Sequence, residues 1–481
     1  MPLVAGVDSS TQSTKVLIID TETAQIVRQG KAPHPNGTEV NPQAWLDALR
    51  SAITAAGGLN DISGIAVGGQ QHGLVALDEH GEIIRPALLW NDTKSAPAAE
   101  ALTEEFGREF WAQATGSVPV ASLTVTKLRY LADTEPENAA RIRAICLPHD
   151  WLTWKLSGST DLRDLVTDRS DASGTGYVDC TTDEYRYDIL AAALRIPESA
   201  AREFILPRIA GPFERVGTLG AQWLSSGRAA RAIPIGPGAG DNAGAALGLG
   251  LRGGQASLSI GTSGVIATVS DHPIQDASSG VTGFSDANGQ WLPLACTLNG
   301  SLIQDYFRNI LDVSFEELGE LAESAAPGAG GITLLPYFLG ERTPNLPDAR
   351  AHLGGLTAAN FTRANLARAA YEGLACLMRG ALEALRAGGI TIDNAMLIGG
   401  GAQSRVLVQI LADVLEIPLA LPEPGEYVAK GAAYQATRVA GLDCPANAWA
   451  PRITARFTPR PGNPAWPAYQ TLARTLENVG S

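Results

Sequence analysis

Apolar residues in this chain fall into short runs cut by glycine and small polar residues, the pattern of strands that end in loops, with amphipathic stretches between them. Leu3–Val7 reads as a strand, Asp8–Thr14 as a polar loop and Lys15–Ile19 as a second strand before a turn at Asp20–Thr23. Asn41 followed by Pro42 predicts a helix start. Trp45, Leu49 and Ile53 then recur on one face until Gly57–Gly58 ends the helix. Ile62–Val67 predicts a buried strand, Gly68–Gly73 a glycine-flanked loop and Leu74–Leu77 a further strand. From about 95 to 235 the pattern is mixed and mostly helical, with a polar loop at Thr167–Thr175.

A second α/β unit begins near Pro234. It has a loop at Gly238–Gly244, a strand at Ala256–Ile260, a turn at Gly261–Gly264 and a strand at Val265–Val269. The stripe Leu366, Ala370, Leu374, Met378, Leu382 and Leu385 predicts a long helix over Thr362–Ala387. Ala395–Ile398 is a strand, Gly399–Gly401 a turn, and Ser404–Leu415 a helix that Pro418 stops. The proline-rich tail beyond Cys444 is predicted to wrap the surface. A strand–polar turn–strand unit occurs twice, at Val4–Ile19 and Ser257–Val269, about half a chain apart. Two such units opening two similar halves predict a duplicated fold with a ligand cleft between them.

Composition narrows the chemistry. With 36 Lys+Arg against 50 Asp+Glu in 481 residues, the net charge of −14 repels phosphate backbones and anionic lipid. Nucleic acid and membrane are therefore not expected partners. The 45% of hydrophobic residues supports large cores. Five widely spaced cysteines without a CxxC fit reduced thiols and exclude a thiol-rich zinc site. The six histidines show no HxxH or HExxH spacing. MPLVAGVDSS has neither a basic nor a long apolar leader segment, and no apolar run is long enough to span a bilayer, so the expected location is the cytoplasm.

Several polar segments are candidates for chemistry, each with a plainer reading beside it. The hydroxyl-rich loop Asp8–Lys15 suits phosphate oxygens, with Asp8 placed to hold Mg²⁺; it also reads as a solvated Ser/Thr turn. Gly261-Thr-Ser-Gly is a second donor-rich turn or an ordinary hairpin. Asp241, among Gly238-Ala-Gly-Asp-Asn-Ala-Gly, is a general base reachable by substrate or a helix cap. Gly399-Gly-Gly-Ala-Gln-Ser either seats a nucleotide or caps a helix; it matches neither GxGxxG nor GxxxxGK[ST]. Gly69-Gln-Gln-His-Gly reads as a polar pocket floor or as a structural histidine loop. Asp164, Asp168 and Asp171, with Ser170 and Ser173, read as a turn network.

Taken together and in order, these motifs resemble the FGGY family of carbohydrate kinases, over nearly the whole chain. Val4–Asp20 and Ser257–Ser270 are similar to its two phosphate motifs and Ala395–Pro418 to its adenosine motif. Ser122–Tyr130, with Tyr130 where Trp is usual, and Ala351–Glu372 are similar to its two signatures. The resemblance implies an α/β chain with two actin-like ATPase (ribonuclease H-like) domains, about 1–245 and 246–481, flanking an interdomain cleft. It implies ATP and Mg²⁺ as cofactors, a small sugar as substrate, and a homodimer.

By resemblance, Asp241 is the general base and, with Asp8, a metal ligand. Gln71, His72, Asp241 and Asn242 contact the sugar. Thr11, Ser13, Thr14 and Lys15 face the phosphates from one side and Gly261, Thr262 and Ser263 from the other. Gly300, Gln304, Gly400, Gly401 and Ser404 hold the nucleotide. Gly69–Gly73, Pro86–Asp92, Thr167–Thr175 and Gly340–Pro344 resemble the members acting on the ketopentose D-xylulose, which usually carry Met where this chain has Gln71. The alternatives are kinases of ribulose, gluconate or erythritol, and a non-kinase ATPase or sugar sensor of the same fold.

Overall fold

Each half of the sequence builds one mixed sheet around an antiparallel hairpin. The computed structural model describes residues 1–225, 232–278 and 280–479, without the side chains of 477–479. In the first half, β1 (Leu3–Ser9), β2 (Ser13–Asp20) and β3 (Ile26–Pro33) form an antiparallel meander. Helix α1 (Pro42–Ala55) follows. The Asn41 side chain accepts a hydrogen bond from the Gln43 amide, and Trp45, Leu49 and Ile53 are buried in the first core. The chain returns through β4 (Ile62–Gly69), parallel to β1 with Val7 opposite Val67. Every residue of β4 is buried, which is why it reads as a short unbroken run of apolar and small residues.

Beyond the sheet lie α2 (Pro148–Ser157), β5 (Val166–Asp168) and α3 (Arg169–Ser173). The polar loop expected at Thr167–Thr175 is thus corrected to a strand and a short helix, both buried. Much of its polarity is bonded internally: the Asp168 carboxylate accepts from the Ser170 and Asp171 amides at 2.8 and 3.1 Å, and the Ser173 hydroxyl donates to the Ser170 carbonyl at 2.8 Å. Ala239–Gly240 lies beside β4, and α4 (Asp241–Leu249) starts at once after it.

The second half repeats the plan. β6 (Gly254–Ile260), β7 (Gly264–Thr268) and β8 (Trp291–Thr297) form an antiparallel meander. α5 (Arg363–Ala387) covers it, with Ala370, Leu374, Met378, Leu382 and Leu385 in the core. β9 (Ile392–Ile398) returns parallel to β6, Leu258 opposite Leu397. There follow α6 (Arg405–Leu415), β10 (Leu419–Pro422), α7 (Tyr427–Val439), β11 (Ile453–Phe457) and α8 (Ala465–Val479). The expected surface tail is corrected: β11 pairs with β10, and α8 buries Ala465 and Tyr469 against the second core. The prolines misled because Pro467 sits in the first turn of α8, where a missing N–H breaks no helical bond.

The two sheets meet through α4 and α7. From one side α7 places Ala429, Ala432, Ala433 and Ala436 on Val4, Leu17, Ile19 and Ala66 of the first sheet. On the other, Leu249 and Tyr427 meet Met396 and Ala420 of the second. Bare backbone makes this approach possible. A Cβ on Gly6 would lie 1.9 Å from the Ala429 carbonyl oxygen, one on Gly248 2.0 Å from that of Tyr427, and one on Gly431 2.0 Å from that of Gly244. The sequence-expected division at 245/246 lies within α4.

Gly6→Val is expected to lower the unfolding free energy by about 1–3 kcal/mol or more, read from urea midpoints. Gly253→Ala, where a Cβ meets nothing within 4 Å, is expected to stay within about 0.5 kcal/mol of wild type. Equal effects at the two positions would contradict the packing account.

Candidate active site

The strand register brings the candidate residues to one edge. Asp8 pairs with Gly68 and Ser9 with Gly69, while Ala239 and Gly240 pair with the same two glycines from the other side. Asp8 and Asp241 therefore flank the carboxyl end of β4, where open α/β sheets bind ligands. Asp8 is buried and accepts from the Ser10 hydroxyl at 2.6 Å, with the Lys15 ammonium 3.7 Å away. Burial raises its carboxyl above the usual range, against those two partners. Asp241 opens α4, and its Oδ1 accepts from the Asn242 amide at 2.8 Å and from Asn242 Nδ2 at 3.0 Å. Burial, followed by the charge of Asp8, pushes the Asp241 carboxyl up to about 7.

Asn242 Nδ2 also donates to Gln71 Oε1 at 2.8 Å, tying the helix start to the Gly69–Gly73 loop. Gly240 lies flat against the Gln71 side chain, where a Cβ would come within 2.5 Å of Nε2. His72 has a positive φ of 67°, rare for a side chain of this size. Its amide donates to Asp171 Oδ1 at 3.3 Å and its carbonyl accepts from the Thr124 hydroxyl at 3.1 Å. The ring packs on Gly174, whose hypothetical Cβ would lie 2.3 Å from it, and on Phe284 of the second half, centroids 5.3 Å apart. Burial, then the charge of Lys127, pushes the imidazole down to about 3, so it is neutral. Lys127, from the Ser122–Tyr130 segment, is itself buried and donates to the Ala121 and Ser122 carbonyls.

The hairpin residues divide. Gln12 at the tip of the first turn is exposed, and Thr11 Oγ1 accepts from the half-exposed Trp90 indole at 2.9 Å. Ser13 is buried. Thr14 is fully buried, with its hydroxyl 2.8 Å from His34 Nε2, so the side chain is turned into the protein rather than presented to a ligand. Lys15 reaches across to Glu426, before α7, at 2.5 Å. In the second hairpin Gly261, Thr262 and Ser263 are exposed. Gly300 closes on them, its hypothetical Cβ 2.6 Å from the Gly261 carbonyl, and the Ser301 amide donates to that carbonyl at 2.7 Å. Gln304 is buried nearby with its Nε2 unpartnered. Gly399 and Gly401 lie against Ile260, so the glycine turn and the second hairpin share the end of β6. Gly400 begins the short helical turn between them and α6. Ser404 caps α6, its hydroxyl accepting from the Leu407 amide at 3.3 Å.

The sequence reading missed Glu426, Phe284 and Thr124 as parts of this region, because each arrives from a distant segment. It missed His149 also, although Asp168 and Asp171 one turn apart were the available signal. Two cavities, about 220 and 620 Å³, open beside α8 and touch none of these residues. Among the described residues, no helix is long and apolar enough to cross a membrane.

Two sheets of repeated design, each built on a hairpin, with two carboxylates at one strand end, are the architecture of an actin-like phosphotransferase, and comparison with known proteins agrees. The N-terminal domain model of the FGGY family of carbohydrate kinases matches residues 3–248 and the C-terminal domain model residues 256–440. The chain belongs to this family and is a sugar kinase. It is 43% identical to a xylulose kinase of Streptomyces coelicolor, over 90% of this chain and 87% of that one. It is 33% identical to a xylulose kinase of Haemophilus influenzae, over 90% and 89%. The crystal structure of xylulose kinase from Bifidobacterium adolescentis superposes with a TM-score of 0.94 at 45% identity, covering 98% of this chain and 99% of that one.

A raised native pKa means the folded protein binds the Asp241 proton more tightly than the unfolded chain does. The contribution of Asp241 to stability is complete below about 4 and lost as pH rises through about 7. Asp241→Asn is therefore expected to raise the Tm at pH 8 and to leave it nearly unchanged at pH 4. A Tm difference independent of pH would contradict this environment for Asp241.

Proposed function

We propose that this kinase transfers the γ-phosphoryl group of ATP to D-xylulose, giving ADP and D-xylulose 5-phosphate. The observation that carries the site assignment is Asp241: a desolvated carboxylate beside Asp8, at a helix start bonded to the Gln71 loop. Similarity to proteins named xylulose kinase, at 43% and 45% identity, supports the choice of sugar. In this reading Asp241 takes the proton of the terminal hydroxyl as the oxygen attacks phosphorus. Gln71, His72 and Asn242 hold the sugar. The Gln71 oxygen is engaged by Asn242, which leaves the Gln71 Nε2 donor for a hydroxyl.

The exposed turn Gly261–Ser263, with Gly300 behind it, faces the phosphates from one side and Thr11, Ser13 and the Asp8–Lys15 hairpin backbone from the other. Thr14 contributes through its main chain, since its hydroxyl serves His34. Lys15 contributes after exchanging Glu426 for phosphate. Gly400, Gly401, Ser404 and Gln304 border the nucleotide. The two carboxylates fit Mg²⁺, which is held by one or two carboxylates together with phosphate oxygens and water. Asp8 and Asp241 would hold it, and it would neutralise charge developing on the phosphates. We place the two lobes at about 1–245 and 246–481 and the enzyme in the cytoplasm, in keeping with its five free cysteines.

A second reading follows from Gln71. Its amide offers a donor that favours a differently placed hydroxyl, as in ribulose or erythritol. ADP release with Mg-ATP against D- and L-xylulose, D- and L-ribulose, D-gluconate, glycerol and erythritol separates the two. D-xylulose is expected to lead in kcat/KM by at least about tenfold, roughly 1.4 kcal/mol. Another sugar in the lead would transfer the assignment to it and make Gln71→Met the next variant. Asp241→Ala is expected to lower kcat by about 10²–10⁴-fold with little change in KM; near-normal kcat would remove it from the chemistry.

A further inference from the structure

Behind the sugar floor lies a charged cluster that the proposed reaction does not use. His149 is the second residue of α2, and its Nε2 stands 3.2 Å from Asp168 Oδ1, 3.3 Å from Asp171 Oδ2 and 3.4 Å from Asp150 Oδ1. All four side chains are at most 3% exposed. Both ring nitrogens, Asp171 Oδ2 and Asp150 Oδ1 lack an aligned hydrogen bond, so charge rather than directed bonding holds the group together. Burial opposes a charge on His149, but the three carboxylates outweigh it and raise the imidazole to about 9. Burial pushes Asp150 up to about 6 and Asp171 higher than its ordinary range. A lone buried imidazolium would be costly; here its cost is met by the anions around it.

Two side-chain contacts leading out of this cluster end on the proposed sugar site. Asp171 Oδ1 accepts from the His72 amide at 3.3 Å, at the residue whose backbone is in the left-handed region. Asp168 Oδ2 accepts from the Ser170 hydroxyl at 2.5 Å, and that hydroxyl accepts from the Gly240 amide at 3.1 Å, one residue before Asp241. The imidazole itself fills the space beside Gly238, where a Cβ would lie 2.8 Å from Nδ1, and its Cβ backs Gly69. Asp150 anchors the ring's own helix, accepting from the Leu147 amide at 2.8 Å. The nucleotide-side turns at Gly261–Ser263 and Gly399–Gly401 take no part in these contacts.

We propose that His149 is a positioning residue: through Asp168–Ser170 it fixes the Gly240–Asp241 peptide, and through Asp171 it fixes the backbone of His72. This rests on the reading of Asp241 and His72 as the sugar site. The cluster acts on the sugar and on the base while leaving the nucleotide side unaffected, which a general loss of packing does not do.

The test is steady-state kinetics on the full chain with D-xylulose and ATP varied in turn. Asp171→Ala is expected to raise the sugar KM at least about tenfold with the ATP KM within about twofold. Asp171→Asn keeps an oxygen for the His72 amide but loses the charge facing His149, and is expected to give a sugar KM between those of the wild type and Asp171→Ala. Ser170→Ala is expected to lower kcat about tenfold, and His149→Gln to show both effects. Should His149→Gln fail to fold, the Ser170 and Asp171 variants decide alone. Sugar KM and kcat unmoved in those variants, or sugar and ATP KM rising together, would overturn the proposal with the sugar site intact. A wild-type enzyme that turns over no sugar of the panel would instead overturn the site reading, and this proposal with it.

Discussion

The arrangement depends on backbone-to-backbone packing of α4 and α7 between the two sheets. Gly6, Gly244, Gly248 and Gly431 have no side chains, so α7 rests directly on β1 and α4 directly on α7. That contact fixes three things at once. It aligns the end of β1, and with it Asp8. It sets the start of α4, and with it Asp241. It also brings Glu426, just ahead of α7, to Lys15 on the first hairpin. A larger residue at Gly6, Gly248 or Gly431 would force the packed backbones apart and move the carboxylates with them.

Within that frame the strand end that carries Asp8 and Asp241 is electrostatically unfinished. Asp8 has a lysine nearby, but Lys15 is shared with Glu426, and Asp241 is held by amide donors of Asn242. Desolvation raises both carboxyls, helped at Asp8 by the charge of Glu426 and at Asp241 by that of Asp8. Sites that prepare a base for work near neutral pH are built this way. The charge deficit is what a divalent cation with its phosphates would correct, and the Lys15–Glu426 pair is what an incoming phosphate would have to exchange. By contrast, in the His149 cluster the carboxylates of Asp150, Asp168 and Asp171 surround a cationic ring within the protein. In the proposed reading, the His149 cluster backs the sugar and the unmet charge faces it from the other side.

Much of this was legible in the chain. The hairpins were visible because strand, polar turn and strand follow each other locally, and their duplication predicted two similar sheets. Asn41-Pro42 and the stripe Leu366–Leu385 marked helices that the structure contains. Strand register then placed Asp8 and Asp241 together, which no local pattern shows. The segment at Thr167–Thr175 misread because serines and aspartates look solvent-facing until a buried cation such as His149 is known to meet them. The tail misread because proline spacing hid one strand and a helix whose first turn tolerates Pro467. Thr14 illustrates the limit of a motif: a hydroxyl in a phosphate hairpin is here claimed by His34, twenty residues on in sequence and 2.8 Å away in space.

The central claim is that Asp241, made basic by burial and by Asp8, receives the proton of the sugar hydroxyl. The pH dependence of kcat/KM for D-xylulose at saturating Mg-ATP tests it most directly, in wild type and in Asp8→Asn. The account predicts an acid limb governed by a single ionisation, with an apparent pKa that falls when the charge of Asp8 is removed. A profile without an acid limb, or a limb that Asp8→Asn leaves in place, would contradict it.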